Sequence, residues 1–372
     1  MDITLIEYMT TLRKAGLISL VFFLLTVACV NISPAKVETP VPATPIESPT
    51  DVSSEWYAVY FTDPTGPAAE YFSGGPDEAL AQAIDQAQSS VDVAVYELDL
   101  STISNALIKA HKRGVTVRVV TESDYLDTPD TKIPVLKAAG IPVLGDRREG
   151  FMHNKFTIID HQDVWSGSMN YTTNDAYRND NNLIRIRSTR LAEDYTTEFN
   201  EMFEEDLFGP DDRPATPYPV VNVNGTEIEV YFSPDDGVAQ HIIRQVKDAQ
   251  QSIYFLAYSF TADNIADAMV ARTKAGVSMS GVFEKTQVSS SRSSNEYDPM
   301  RAAGLDVWQD GNPRNMHDKV ILIDGKIVIT GSYNFSANAE KSNDENILII
   351  HNPEITSLYL QDFQRVYARA KK

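Results

Sequence analysis

Two stretches decide how this 372-residue chain is read: His153-Asn154-Lys155-Phe156-Thr157-Ile158-Ile159-Asp160 and His317-Asp318-Lys319-Val320-Ile321-Leu322-Ile323-Asp324. In both, H-x-K is followed by four residues and an aspartate. Each has a glycine 14 residues after its histidine, in Gly167-Ser168-Met169-Asn170 and Gly331-Ser332-Tyr333-Asn334. The apolar runs have strand length, and side chains alternate between faces along a strand. His153 therefore shares a face with Lys155, and His317 with Lys319. Asp160 and Asp324 fall at the far ends of these strands, too distal for the same chemistry, and are read as structural residues that bond backbone amides.

Outward from the motifs the chain repeats itself. Ser90-Val91-Asp92-Val93-Ala94-Val95-Tyr96 matches Ser252-Ile253-Tyr254-Phe255-Leu256-Ala257-Tyr258, Gly114 matches Gly276 and Glu122 matches Glu284, all 162 residues apart. At Ala138-Ala139-Gly140 and Ala302-Ala303-Gly304 the offset has become 164. The second copy thus gains two residues between Glu284 and Ala302, where Ser289 to Ser294 reads as a surface excursion. Strand and helix patterns alternate in each copy, which predicts βαβ units and a largely parallel sheet. Pro210, Pro214, Pro217 and Pro219 interrupt any regular element between the copies. The expected fold is α/β, with two homologous domains at residues 55–212 and 220–372.

A histidine beside an ammonium suits a phosphodiester, because one group attacks or protonates while the other neutralises the phosphoryl oxygens. Ser168, Asn170, Ser332 and Asn334 are candidates to add neutral hydrogen bonds to those oxygens. One copy supplies half of a mechanism, since displacement at phosphorus needs a nucleophile on one side and an acid for the leaving oxygen on the other. Two histidines facing each other across a pseudo-two-fold interface supply both. Tyr96 and Tyr258 end equivalent strands, where either a lining or a packing role fits. Arg147, Arg148 and Arg314 precede the motifs, placed to meet either an anionic substrate or solvent.

The paired motifs resemble the signature of the phospholipase D superfamily, over nearly the whole chain from about Tyr57 onward. In Ala257-Tyr258-Ser259-Phe260-Thr261, Met316-His317-Asp318-Lys319 and Asn343-Asp344-Glu345-Asn346 the second half is similar to the small bacterial endonucleases of that superfamily, which form their site by dimerising. Here both halves lie in one chain, as in the phospholipases, and a monomer is expected. The resemblance implies two phospholipase D-like domains, catalytic His153, Lys155, His317 and Lys319, and a covalent phosphohistidine resolved by water or an alcohol. No metal or other cofactor is implied. It also implies an acid that orients a histidine ring from 28 residues downstream. Glu345 stands at that distance from His317, whereas Asn181 stands there from His153. A carboxylate favours the protonated imidazole. Glu345 is therefore expected to serve His317 as general acid and Asn181 to leave His153 neutral as nucleophile, with the adjacent Asp180 a substitute acid.

Composition bears on location and substrate. Lys and Arg number 32 against 52 Asp and Glu, a formal net charge of −20, which disfavours coating nucleic acid by bulk charge and leaves room for a local basic cleft. The single cysteine excludes an intramolecular disulfide and a four-cysteine zinc site. Arg13 and Lys14 precede an apolar run from Leu17 to Ala28, the length of a signal-peptide core and shorter than the roughly 20 residues of a membrane-spanning helix. Leu25-Thr26-Val27-Ala28-Cys29 resembles a bacterial lipobox. Residues 1–29 are expected to be a lipoprotein signal with Cys29 lipidated, with an uncleaved anchor over the 18 residues from Ala15 to Ile32 as the alternative, and a start at Met9 would remove the acidic Asp2 and Glu7 from it. Residues 30–54, with Pro34, Pro40, Pro42, Pro45 and Pro49, read as an extended tether. The expected protein is a phosphodiesterase anchored in the cell envelope, with phospholipid the favoured substrate. Metal-independent nuclease activity, phosphatidyl transfer of the cardiolipin synthase type and an inactive binding module are the alternatives. The last requires the loss of a motif histidine or lysine, and all four are present.

Overall fold

Each copy builds an eight-stranded sheet. The first contains β1 (Val52–Ser53), β2 (Tyr57–Phe61), β3 (Ser90–Val95), β4 (Thr116–Thr121), β5 (Val143–Gly145), β6 (Lys155–Ile159), β7 (Asp163–Gly167) and β8 (Asn182–Arg187), in the order β1-β2-β8-β7-β6-β3-β4-β5. The second contains β9 (Val220–Val223), β10 (Thr226–Ser233), β11 (Ser252–Ala257), β12 (Ser278–Phe283), β13 (Asp306–Gln309), β14 (Lys319–Ile323), β15 (Ile327–Gly331) and β16 (Glu345–His351). Its order, β13-β12-β11-β14-β15-β16-β10-β9, is the same topology. The computed structural model describes residues 52–291 and 294–372. The apolar N-terminal segment, Cys29 and the proline-rich stretch up to residue 51 lie outside the described residues. β1 places the start of the first sheet inside the stretch read as tether, and a helix, Lys285–Ser290, takes in the first two residues of the expected serine-rich excursion.

The sheets are mixed, which corrects the expectation of largely parallel ones. Only β3-β4-β5 and β11-β12-β13 run parallel. The motif strands β6 and β14 lie antiparallel to both neighbours, because the chain turns straight back after them and makes no helical crossover. In those turns Asp160 and His161 have φ of 53° and 52°, and Asp324 and Gly325 have 53° and 63°. Positive φ at both central residues is what a tight hairpin needs, and aspartate tolerates it better than most residues. Each aspartate also accepts three consecutive backbone amides, Gln88, Ser89 and Ser90 for Asp160 and Gln250, Gln251 and Ser252 for Asp324, at 2.7–3.1 Å. Burial pushes both carboxyls up, but these amide bonds outweigh it and hold them below the usual range.

Helices Pro76–Gln86 and Ser101–Lys112 cover the outer face of the first sheet, and Val238–Asp248 and Asp263–Lys274 that of the second. Between the inner faces lie Thr189–Glu205 and Pro353–Ala370, in a core shared by both copies. Their apolar positions are spaced alike: Leu191, Tyr195, Phe199 and Met202 in one, Ile355, Tyr359, Phe363 and Val366 in the other. All are buried, forming one stripe per helix. Each such side chain contributes about 1.5–3 kcal/mol on burial. The helices cross the midline: Tyr195 packs on Phe232 of the second copy, and Tyr359 on Phe61 of the first. Both copies therefore belong to one compact unit. No helix among the described residues is long and apolar enough to cross a membrane.

Candidate active site

β3 runs antiparallel to β6 with Val95 opposite Lys155, and β11 to β14 with Ala257 opposite Lys319. The end of the inner parallel strand thus meets the start of the motif strand. Tyr96 N–H donates to the carbonyl of Asn154 at 3.0 Å, and Tyr258 N–H to that of Asp318 at 2.9 Å. This sets each tyrosine edge-on to its histidine, with ring centroids 4.9 Å apart for Tyr96 and His153 and 4.5 Å for Tyr258 and His317. Lys155 and Lys319 are buried. Each ammonium donates to the carbonyl of its own motif histidine, at 2.6 and 2.7 Å, and lies over the tyrosine ring. Burial pulls Lys155 down to about 7 and Lys319 to about 8, while Glu345 and Asp175 act in the opposite direction. Burial and the lysine charges also hold both imidazoles well below the usual histidine value.

The ring partners come from the opposite copy, which corrects the expected pairing. Nδ1 of His153 lies 2.7 Å from Oε2 of Glu345, and Nδ1 of His317 lies 3.0 Å from Oδ1 of Asn181. The backbone enforces the exchange. His153 N–H donates to the carbonyl of Asp344, and His317 N–H to that of Asp180. Each Asn-Asp segment is thereby stitched to the other copy's motif. Asp180 does not replace the missing acid: it is held by Arg365 at 3.1 Å, by Arg369 and by Asn312. The substitute is Asp175, one of whose carboxylate oxygens lies 3.6 Å from Nδ1 of His317. Burial pushes Asp175 up, yet His317, Asn179 and Asn170 outweigh it, and its carboxyl stays below the usual range. Glu345 is raised to about 8 by burial, with Lys155 opposing. The repeat held a signal for Asp175. At the offset of 164 its counterpart is Ala339, so the first copy has gained an acid there and lacks one at Asn181, where the second has Glu345.

Behind the histidines the two copies share a polar seam. The Oδ1 of Asn346 accepts from Ser166 and Tyr195, and its Nδ2 donates to Asn154 at 2.7 Å. The Oδ1 of Asn182 accepts from Thr330 and Tyr359, and its Nδ2 donates to Asp318 at 2.7 Å. Ser168 and Ser332 belong to this seam. They are fully buried, and their hydroxyls accept the amides of Asn182 and Asn346. The expectation that they bond substrate oxygens is corrected: both hydroxyls stay in the seam because the preceding glycine brings the chain against the neighbouring strand. A Cβ on Gly167 would lie 2.3 Å from the carbonyl oxygen of Asn182, and one on Gly331 2.2 Å from that of Asn346, with φ of 153° and 152°.

Both histidines open onto one cavity of about 550 Å³. Asn170 and Asn334 are in its wall, as are Tyr96, Tyr258, Asp175 and Glu97, the last raised to about 7 chiefly by burial. The two lysines and Glu345 sit behind it. The three arginines do not reach it: Arg147 pairs with Asp206, Arg148 with Asp344, and Arg314 lines a separate shallow depression. The chemistry on offer is nucleophilic and acid–base catalysis by two imidazoles beside two buried cations.

The family model described as "Cardiolipin synthase, PLD-like domain" matches residues 80–203 and 242–367, one match per copy. Mitochondrial cardiolipin hydrolase of Xenopus laevis is 33% identical over 132 residues, covering 35% of this chain and 63% of that protein. This chain therefore spans just under two thirds of that relative. Phospholipase D of Rickettsia typhi is 30% identical over 165 residues, 44% of this chain and 80% of its own length. Among solved structures, phosphatidylserine synthase from Haemophilus influenzae Rd KW20 shares the fold, with a TM-score of 0.60 over 86% of this chain and 87% of that one, at 14% identity. Nuc from Salmonella typhimurium, a phospholipase D family member, is 32% identical over 39% of this chain and 95% of its own, with a TM-score of 0.34. Two matched domains, each carrying the His-Lys-Asp motif, place this chain in the phospholipase D superfamily, whose members act on phosphodiesters.

Proposed function

We propose that the protein hydrolyses a phospholipid phosphodiester through a covalent phosphohistidine. The observation that carries this reading is the opening of both histidines onto one cavity, each with a carboxylate at or near Nδ1. His153 is the nucleophile. Its Nε2 attacks phosphorus while Nδ1 keeps its proton towards Glu345, which stabilises the positive ring of the phosphohistidine. His317, which takes up a proton beside Asp175 as the anionic phosphodiester enters, is the general acid and gives that proton to the leaving oxygen as the P–O bond breaks. Water then attacks the phosphohistidine, His317 takes its proton, and the P–N bond breaks to restore His153. Lys155 and Lys319 neutralise the phosphoryl oxygens, and Asn170 and Asn334 bond them.

Phospholipid is favoured because the chain's charge of −20 opposes bulk nucleic-acid binding and the relatives include a phospholipase D and a cardiolipin hydrolase. An endonuclease is the second reading, and the aromatic and amide wall of Tyr96, Tyr125, Tyr258, Asn170 and Asn334 favours it, because such groups stack on and bond bases. Metal-free assays on phosphatidylcholine, cardiolipin, single-stranded DNA and RNA separate these. Lipid turnover that disappears in His153→Ala and His317→Ala is expected. Activity that survives both substitutions removes the site, and salt-sensitive DNA cleavage without lipid turnover moves the reading to nuclease. Adding ethanol distinguishes hydrolysis from transfer by the product formed. Phosphoenzyme trapping is expected to label His153; label on His317 reverses the roles. Lipidation of Cys29 and an envelope location complete the proposal, and fatty-acid labelling lost in Cys29→Ala tests them.

A further inference from the structure

Away from the cavity, where the last helix of the first copy runs into the link between copies, carboxylates converge. Glu198 and Glu201 lie one turn apart on helix Thr189–Glu205, and Asp212 follows the turn Gly209–Asp211. One oxygen from each lies within 4.8 Å of the others. Asp235, just after β10 in the second copy, adds its charge to theirs. Glu198 is only 3% exposed and Asp212 9%. Among the described residues none of these four carboxylates makes an ion pair. Glu198 Oε1, Asp212 Oδ2 and Asp235 Oδ1 are buried without a hydrogen-bond partner.

Such a group is costly to bury unless something compensates it. The local cations do not suffice. Arg148 is committed to Asp344 and the carbonyl of Ser342, and Arg213 is exposed. A proton shared between Glu201 and Asp212 leaves the oxygens on Glu198 and Asp235 without a donor. Buried acceptors of this kind call for an ion or water. The donors are all carboxylate oxygens, with no thiol or imidazole among them, which is the ligand chemistry of a hard divalent cation. The number of negative oxygens suits the larger, more flexible shell of Ca²⁺ over the strict octahedron of Mg²⁺.

We propose that Glu198, Glu201 and Asp212, at the link between the two copies, form a structural Ca²⁺ site, with the charge of Asp235 beside it. Its position has a consequence for the active site. The side chain of Asp344 accepts the amide of Gly209 in the same link, and its backbone carbonyl holds His153 one residue before Glu345. A cation here adds to the stability of that frame, without touching the reacting atoms or setting their geometry.

The test uses the full chain stripped with EGTA. Calorimetric titration with CaCl2 is expected to give one saturable site, and the melting temperature is expected to rise with Ca²⁺ and fall back on chelation. Glu201→Gln, at a half-buried position where the variant is expected to fold, should weaken Ca²⁺ binding at least about tenfold. Hydrolysis at 25 °C in EGTA should stay within about twofold of the Ca²⁺-loaded rate, since the chemistry belongs to the histidines, so failure of the cation site and failure of the proposed activity are distinguishable. No binding heat and no shift in melting temperature up to roughly 10 mM Ca²⁺, far above the affinity range of such sites, overturns the proposal, as does binding unchanged in Glu201→Gln. A response to Mg²⁺ or Mn²⁺ alone overturns the assignment to Ca²⁺.

Discussion

Replacing Asp175 by asparagine isolates the role of an acid that occupies no motif position. Its oxygen lies 3.6 Å from Nδ1 of His317, where the second copy supplies His153 with Glu345 at 2.7 Å. At an effective dielectric of about 20, a full charge pair at 3.6 Å is worth about 332/(20 × 3.6), or about 4.6 kcal/mol. Asn181 still accepts from Nδ1 in the variant, and Lys319 loses the same counter-charge. Only part of the interaction is therefore expressed as a preference for protonated His317. Taking a quarter to a half of it gives about 1–2 kcal/mol, or roughly 5- to 30-fold in rate. The loss should appear in kcat for phosphatidylcholine, whose alcohol must be protonated as it leaves. It should be nearly absent for bis(p-nitrophenyl) phosphate, whose leaving group needs no proton. The alkaline limb of the kcat profile should move to lower pH, because His317 holds its proton less well. Adding Asn181→Asp, which returns a carboxylate to Nδ1, should restore the rate. Equal losses on the two substrates, or no restoration in a double variant with a native melting temperature, would falsify the assignment of Asp175 to the acid histidine.

Three further outcomes follow from the same geometry. Glu345→Gln should lower kcat about 10²- to 10³-fold on both substrates, since it acts on the nucleophile before any leaving group departs; steady-state rates on the two diesters check this. Gly331→Ala forces a Cβ to 2.2 Å from the carbonyl oxygen of Asn346 at a φ of 152°, so a loss of at least about 3 kcal/mol in a denaturant melt is expected. Stability should rise as pH falls from 8 to 6.5. Asp318, pushed up to about 8 by burial, and Glu97, Glu122, Asp194 and Glu296, pushed up to about 7, keep protons in the folded protein that the unfolded chain releases near 4, so their contribution is present at low pH and lost as pH rises through 7 to 8, and they outnumber Lys155 and Lys319, whose lowered values act with the opposite sign. Below 6.5 the gain should level off, because the two histidines have depressed folded values and the unfolded chain takes up protons there. Melting temperatures across this range check the slope, which Asp318→Asn should reduce.

The sequence by itself determined the repeat, the two His-Lys faces and the structural role of Asp160 and Asp324. Each of these follows from spacing within one strand or from a constant offset between copies. It did not determine strand direction, because a period of two is the same in parallel and antiparallel sheets; the hairpins after Asp160 and Asp324 decided that. Nor did it determine which copy supplies each ring partner. Glu345 and Asn181 stand at equal spacing from His317 and His153 along the chain, yet each serves the histidine of the other copy, across separations of 192 and 136 residues. Spacing records which face a side chain occupies, whereas the partner of that face is set by how the two sheets dock. The two crossing helices and the asparagine seam fix that docking, and with it the exchange of Glu345 and the placement of Asp175 beside His317.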